Sequence, residues 1–126
     1  MTGASPRILL LIPAYNEASR IGPVLETYAL YFREHHPDNF HLVVVLNGCT
    51  DDTLGVVERA SGQHPEISHV NIPEPIGKGG ALIEGLKLAP KADLVGYVDA
   101  DGATPPAAFD DLVTECAGAD CVIGSR

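Results

Sequence analysis

The sequence predicts an α/β fold: a mainly parallel sheet flanked by helices, Rossmann-like in its alternation, within a single domain. Three observations carry this. Short apolar runs alternate with segments whose apolar residues recur at helical spacing. Each run is closed by Pro, Gly or a polar cluster. The chain has 126 residues, enough for one domain with a sizeable core and hardly for two.

Ile8–Ile12 is a continuous apolar run stopped by Pro13, the pattern of a strand buried on both faces. Val24, Tyr28, Tyr31 and Phe32 then recur at helical spacing, with Pro23 tolerated in the first turn. Leu42–Leu46 is the second run, closed by Asn47-Gly48. Thr50 is the expected N-cap of a helix near Asp51–Ala60, whose first turn Asp51 and Asp52 suit. Ile67–Ile72 predicts a third strand, and Gly77-Lys-Gly-Gly80 opens a third helix with Leu82, Ile83, Leu86 and Leu88 as its apolar positions before Pro90. Leu94–Val98 predicts a fourth strand leading into Asp99-Ala-Asp101. Pro105-Pro106 starts a fourth helix with Phe109, Leu112 and Val113 facing inward, and Cys121–Ile123 predicts a last strand.

Composition excludes several function classes. Hydrophobic residues are 45% and charged residues 20%, so the chain is not a disordered one. Eight Lys+Arg against seventeen Asp+Glu give a net charge of −9, which leaves no basic face to displace counterions from nucleic acid. A phosphate-bearing ligand therefore needs local help from a metal ion, backbone N–H groups or a few placed cations. No stretch approaches the roughly 20 apolar residues of a membrane span. Cys49, Cys116 and Cys121 are an odd set without a C-x-x-C pair, which encodes neither a disulfide framework nor a zinc knuckle and fits a reduced, cytoplasmic setting.

In an open parallel sheet, ligands sit beyond the carboxyl ends of the strands, so the segments after the strands are read together. They are Pro13-Ala-Tyr-Asn-Glu17, Asn47-Gly-Cys-Thr-Asp51, Gly77-Lys-Gly-Gly80, Asp99-Ala-Asp-Gly102 and Gly124-Ser-Arg126. All are rich in Gly or polar groups, which points to one ligand-binding edge. Asp99 and Asp101 stand two residues apart, a spacing that on a strand puts both carboxylates on one side. Two carboxylates there can share a hard divalent cation, which in turn can hold a diphosphate; a polar turn with solvated acids is the plainer alternative. The Gly77–Gly80 segment suits an anion at a helix N-terminus, or equally a hinge. Glu17 and Asp51 also suit helix N-termini electrostatically. The five histidines, His35, His36, His41, His64 and His69, lack ligand spacing and are expected at the surface, and Asp110 and Asp111 read as a solvated helix face.

Taken together, Ile12-Pro-Ala-Tyr-Asn-Glu17, Asn47-Gly-Cys-Thr-Asp51, Gly77-Lys-Gly-Gly-Ala81, Asp99-Ala-Asp-Gly-Ala-Thr104 and Gly124-Ser-Arg126 resemble the family 2 glycosyltransferases of GT-A fold. Among these the chain is most similar to dolichyl-phosphate glucose and mannose synthases and bacterial polyprenyl-phosphate glycosyltransferases. The resemblance implies transfer of a sugar from a UDP- or GDP-sugar to a lipid phosphate, with Mg²⁺ or Mn²⁺ on the diphosphate. Carried over by position, Pro13, Ala14, Tyr15 and Glu17 line the nucleoside pocket. Asn47, Asp51 and Ala100 join the donor contacts, and Gly77, Lys78 and Gly79 shape the pocket. Asp99 lies near ribose and metal, Asp101 is the main metal ligand, the two forming the catalytic pair, and Arg126 meets a phosphate. The family usually carries an acidic pair where Leu46 and Asn47 stand; a carboxamide both donates and accepts, so the choice of base stays open. The resemblance further implies a donor-binding half whose uncovered sheet edge invites self-association, working at the cytoplasmic membrane face. An inactive nucleotide-binding or interaction module, and a sugar nucleotidyltransferase, are the other readings the residues allow.

Overall fold

A computed structural model describes residues 7–37, 39–74, 77–87, 94–116 and 122–124. Strands and helices alternate as β1 (Ile8–Ala14), α1 (Ile21–His35), β2 (Phe40–Asn47), α2 (Thr53–Gln63), β3 (Ile67–Ile72), α3 (Gly77–Leu86), β4 (Leu94–Tyr97), α4 (Pro106–Cys116) and β5 (Val122–Gly124). The five strands form one sheet in the order β3-β2-β1-β4-β5, and every described pair is parallel. The α/β expectation holds. Leu88, Pro90 and Cys121 lie outside the described residues, as does Arg126.

The apolar runs form strands because both of their faces are covered. On one face Ile8, Leu10, Ile12, Leu42, Val44 and Leu46 meet α1, α2 and α4; on the other Leu9, Leu11, Val43 and Val45 form a second, smaller layer. The centre of the larger layer is aromatic. Phe32 stacks on Phe40 with centroids 4.3 Å apart and lies edge-on to Phe109 at 5.9 Å. Its buried neighbours on α1 are Ile21, Leu25, Tyr28 and Ala29; of the stripe that the sequence predicts, Tyr28 and Phe32 are buried, whereas Val24 and Tyr31 are partly buried against the same cluster. On the opposite face α3 lies close to the sheet at Gly85. A Cβ there would come within 2.9 Å of both methyl carbons of Leu11, so a larger residue would have to displace that side chain for the helix to approach this far.

Pro13 belongs to β1, although a proline removes a ladder hydrogen bond. The register explains why it is tolerated. The Leu11 carbonyl accepts from the Val98 N–H at 3.2 Å, so the odd-numbered backbone groups of β1 face β4. The donor that Pro13 lacks is therefore aimed past Tyr97, where β4 has already ended. Strands β1 and β4 part company at this point, which is also where the strand order reverses direction.

Three local expectations are corrected. Helix α2 begins at Thr53 with Asp52 as its N-cap residue, not with Thr50, because Thr50 is held by the loop after β1. His64 is buried and accepts from the Arg33 guanidinium at 3.1 Å. Asp110 is no solvated acid: its carboxylate accepts from the Tyr31 hydroxyl at 3.0 Å and contacts His36 Nε2 at 2.7 Å, joining α4 to the end of α1.

Arg33 also pairs with Glu66, donating from Nε at 3.1 Å and Nη2 at 2.6 Å. These hydrogen bonds hold the Glu66 carboxyl below the usual carboxylate range. A depressed carboxyl stabilises the fold above its unfolded pKa of about 4.3, and that contribution is lost as pH falls through the lower folded value. Glu66→Gln is therefore expected to make stability fall less steeply on acidification below about pH 5. Melting temperature measured against pH for both proteins checks this; parallel curves would contradict it.

Candidate functional site

The carboxyl ends of β1 and β2 carry two loops, residues 15–20 and 48–52, that side chains bind into one unit. Asn16 adopts φ 52°, a left-handed conformation that asparagine tolerates better than most residues. Its Oδ1 accepts from the backbone N–H groups of Thr50 (2.7 Å) and Asp51 (3.2 Å). Asp51 returns the connection, accepting at Oδ2 from the Ala18 N–H at 3.2 Å and at Oδ1 from the Thr53 N–H at 3.0 Å and the Thr53 hydroxyl. Thr53, fully buried, accepts from the Glu17 N–H at 2.9 Å. The hydrogen bond from the Thr53 hydroxyl, followed by those from backbone N–H groups, holds the Asp51 carboxyl below its ordinary range.

Around this unit stand the other residues expected from the sequence. Ala14 is buried and its carbonyl accepts a weak hydrogen bond from Cys49 Sγ at 3.4 Å. Pro13 is half-buried at the point where β1 and β4 diverge, and Tyr15 is 59% exposed beside it. Glu17 turns its carboxylate to Arg20, whose Nε donates at 2.8 Å. Its backbone carbonyl accepts the N–H of Ile21, the first residue of α1. Asn47 is buried at the last position of β2, and the next residue, Gly48, takes φ 66° and donates to the Ile72 carbonyl at 2.8 Å.

The Asp99–Asp101 segment departs from the alternation that the sequence suggests. Extended structure ends at Tyr97, before either aspartate, and Ala100 and Asp101 lie in a turn. Ala100 is buried, Asp99 half-buried and Asp101 exposed, so the turn, not strand pleating, decides where the carboxylates go. Asp101 Oδ1 accepts from the Ala103 N–H at 2.9 Å, and Gly102 comes next at φ 79°. A Cβ on Gly102 would meet Val24 Cγ2 at 3.1 Å, which shows how closely the turn rests on α1. The Tyr28 hydroxyl, buried in α1, donates to the Thr104 carbonyl at 2.6 Å and ties down the far side of the loop.

Thus the loops after β1 and β2 are joined directly, and the loop after β4 is held to both through α1. Gly77, at φ 78°, opens α3, which follows β3 in the chain and packs against β2 and β1, and Lys78 and Gly79 lie in the first turn of that helix. Asn16 and Thr53 are the residues that sequence reasoning misses; an Asn in a polar turn is the available signal.

The donor set suits a hard divalent cation in part. Asp99 and Asp101 offer carboxylate oxygens at a loop of which Asp101 is exposed, but no three His, Cys, Asp or Glu side chains gather among the described residues. Two carboxylates with the rest of the shell left to phosphate oxygens and water is the way Mg²⁺ is ordinarily held. A cavity of about 560 Å³ lies at the opposite end of the strands, between Arg33, His36, Phe40 and Glu66. It is remote from this chemistry. No helix among the described residues is long and apolar enough to cross a membrane.

A parallel sheet with helices on both faces and polar loops after β1, β2 and β4 is the open α/β layout, in which ligands sit beyond the carboxyl ends of the strands. Comparison with known proteins narrows this: the model of glycosyl transferase family 2 matches residues 10–126, and the chain belongs to that family. It is 36% identical over 106 residues to a dolichyl-phosphate beta-glucosyltransferase of Trichomonas vaginalis, covering 81% of this chain and 31% of that protein. It is 30% identical over 122 residues to an undecaprenyl-phosphate mannosyltransferase of Micrococcus luteus, covering 95% of this chain and 48% of the relative. Among solved structures, a mannosyltransferase from Pyrobaculum calidifontis in complex with GDP-Man and Mn²⁺ superposes with a TM-score of 0.69 at 33% identity, covering 78% of this chain and 28% of the other. The chain thus spans between 28% and 48% of the length of these relatives.

Proposed function

We propose that this chain forms the donor-binding part of a glycosyltransferase that moves a sugar from a nucleoside-diphosphate donor to a polyprenyl or dolichyl phosphate. The observation that carries the reading is the parallel topology, which sets the Pro13–Glu17 segment, Asn47 and the Asp99–Asp101 turn after the carboxyl ends of three neighbouring strands, β1, β2 and β4. Membership of the family, and relatives named as dolichyl- and undecaprenyl-phosphate transferases, support it.

In this reading Pro13, Ala14, Tyr15 and Glu17 form the nucleoside wall, and Tyr15 offers an exposed ring against which a base can stack. Asn47 presents a carboxamide that can both donate and accept at a base edge. Gly77, Lys78, Gly79 and Arg126 belong to the same donor pocket, with Arg126 toward a phosphate. Asp99 and Asp101 would hold Mg²⁺ or Mn²⁺. A bound cation supplies positive charge to the diphosphate as it leaves, where negative charge grows in the transition state. A lipid-phosphate acceptor is already anionic, so the chain needs no strong general base to activate it. The site lies at the cytoplasmic membrane face, where such an acceptor presents its headgroup.

Incubation with GDP-mannose or UDP-glucose, Mn²⁺ and dolichyl phosphate, followed by extraction of labelled lipid, tests the reading. Labelled glycolipid supports it. Nucleotide binding without product favours an inactive binding module, and binding of neither donor contradicts the reading.

A further inference from the structure

We propose that Asn16, Asp51 and Thr53 are positioning residues: together they staple the loop after β1 to the loop after β2, and so hold the nucleoside wall in register with Asn47. The inference rests on the donor-binding reading above. It reassigns Asp51, which the sequence places among the donor contacts.

The argument is one of hydrogen-bonding capacity. A carboxamide oxygen accepts two hydrogen bonds comfortably, and Asn16 Oδ1 already takes the N–H groups of Thr50 and Asp51. A carboxylate offers about four acceptor positions. Asp51 commits three of them to the Ala18 N–H, the Thr53 N–H and the Thr53 hydroxyl. The Thr53 hydroxyl donates to Asp51 and accepts from the Glu17 N–H, and it is fully buried. The links that cross between the segments are those of Asn16 Oδ1, of Asp51 Oδ2 and of the Thr53 hydroxyl with the Glu17 N–H, while the hydrogen bonds from Thr53 to Asp51 Oδ1 brace the second segment internally.

The connection is reciprocal, since Asn16 belongs to the first loop and binds the second, whereas Asp51 in the second loop and Thr53, which opens α2 directly after it, bind the first. Between them they secure the N–H groups of Glu17 and Ala18 on one side and of Thr50 and Asp51 on the other. The regular β1–β2 register stops at Ala14 and Leu46. Beyond it, these side chains carry the connection through the stretch that bears Tyr15 and Glu17. Asn16 reaches its partners from a left-handed backbone, a conformation that persists only where the surroundings hold it.

The test compares wild type, Asp51→Asn, Thr53→Val and Thr53→Ser by calorimetric titration with GDP-mannose and with UDP-glucose in Mn²⁺. Melting temperature and amide exchange at Glu17, Ala18 and Thr50 are measured in parallel. Asp51→Asn and Thr53→Val are expected to weaken donor binding about 10- to 100-fold, the range for partners that orient ligating groups. The Ala18 amide exchanges faster in the first and the Glu17 amide in the second, while both proteins stay folded at 25 °C. Thr53→Ser keeps the hydroxyl and is expected to restore both affinity and protection. Faster exchange with unchanged affinity in either variant would overturn the staple's role. Lost affinity with unchanged exchange in Asp51→Asn would return Asp51 to the donor contacts. A wild-type protein that binds neither donor would overturn the donor-binding reading itself and the staple's role with it.

Discussion

Replacing Asp101 with alanine is expected to weaken metal-dependent donor binding by at least about 100-fold, because the loss of a direct ligand exceeds the 10- to 100-fold effect of losing an outer partner. Asp101 is exposed and accepts from the Ala103 N–H two residues on, so its removal leaves no buried charge unpaired. The fold should survive: surface substitutions away from packed features change stability by about 0.5 kcal/mol or less. The expected signature is a donor affinity that no longer responds to Mn²⁺, in a protein whose melting temperature without ligand is nearly unchanged. Asp101→Asn keeps the shape and the Ala103 hydrogen bond but removes the charge, and is expected to behave like the alanine variant. Undiminished Mn²⁺-dependent affinity in both variants would exclude Asp101 as a metal ligand.

Phe32→Ala is expected to have the largest effect on stability. Phe32 is fully buried and touches aromatic rings from three elements: Tyr28 on its own helix, Phe40 on β2 and Phe109 on α4. Emptying such a site costs about 3–5 kcal/mol in lost transfer free energy and residual cavity. That is a large share of the roughly 5–15 kcal/mol that holds a domain folded. The melting temperature should fall by about 10–20 °C. Phe32→Leu, which fills more of the space, should lose less than half as much. Urea denaturation of the three proteins measures this, and a loss below about 1 kcal/mol for the alanine variant would contradict the packing described.

Much of this architecture is legible in the sequence because its cause is local. The runs at Ile8–Ile12 and Leu42–Leu46 are apolar at every position because both faces of a central parallel strand are covered. The helix α1 is legible for a similar reason, since one stripe of it is buried, although Tyr28 and Phe32 share that stripe with Ile21, Leu25 and Ala29 and not with Val24 and Tyr31, which are only partly buried. Sequence reasoning fails where a distant partner decides. Thr50 has the chemistry of an N-cap, but Asn16, 34 residues earlier, takes its N–H. Asp110 looks solvated on its own helix, and only the packing of α4 against α1 brings Tyr31 and His36 to it across more than 70 residues.

The site divides in the same way. That the polar segments after β1, β2 and β4 share the carboxyl edge of the sheet is a consequence of parallel topology and is legible. Asp99 and Asp101 stand out in the sequence, but strand alternation is the wrong reason for their placement, since β4 ends at Tyr97 and the chain turns through Gly102 immediately after them. Asp51 stands out for its charge. Its hydrogen bonds from Thr53 are local, but the one from the Ala18 N–H appears only when two loops from different parts of the chain are seen side by side.

The most direct test of the central claim is a thermal-shift titration with UDP, GDP, UDP-glucose and GDP-mannose, each with Mn²⁺ and again with EDTA. Ligand at about 100 times its dissociation constant should stabilise the fold by roughly 2.7 kcal/mol, a rise of about 10 °C for a chain of this size. The account predicts such a rise with one nucleotide and its sugar conjugate, abolished by EDTA. A folded protein that melts at the same temperature with every nucleotide, with and without Mn²⁺, would contradict it.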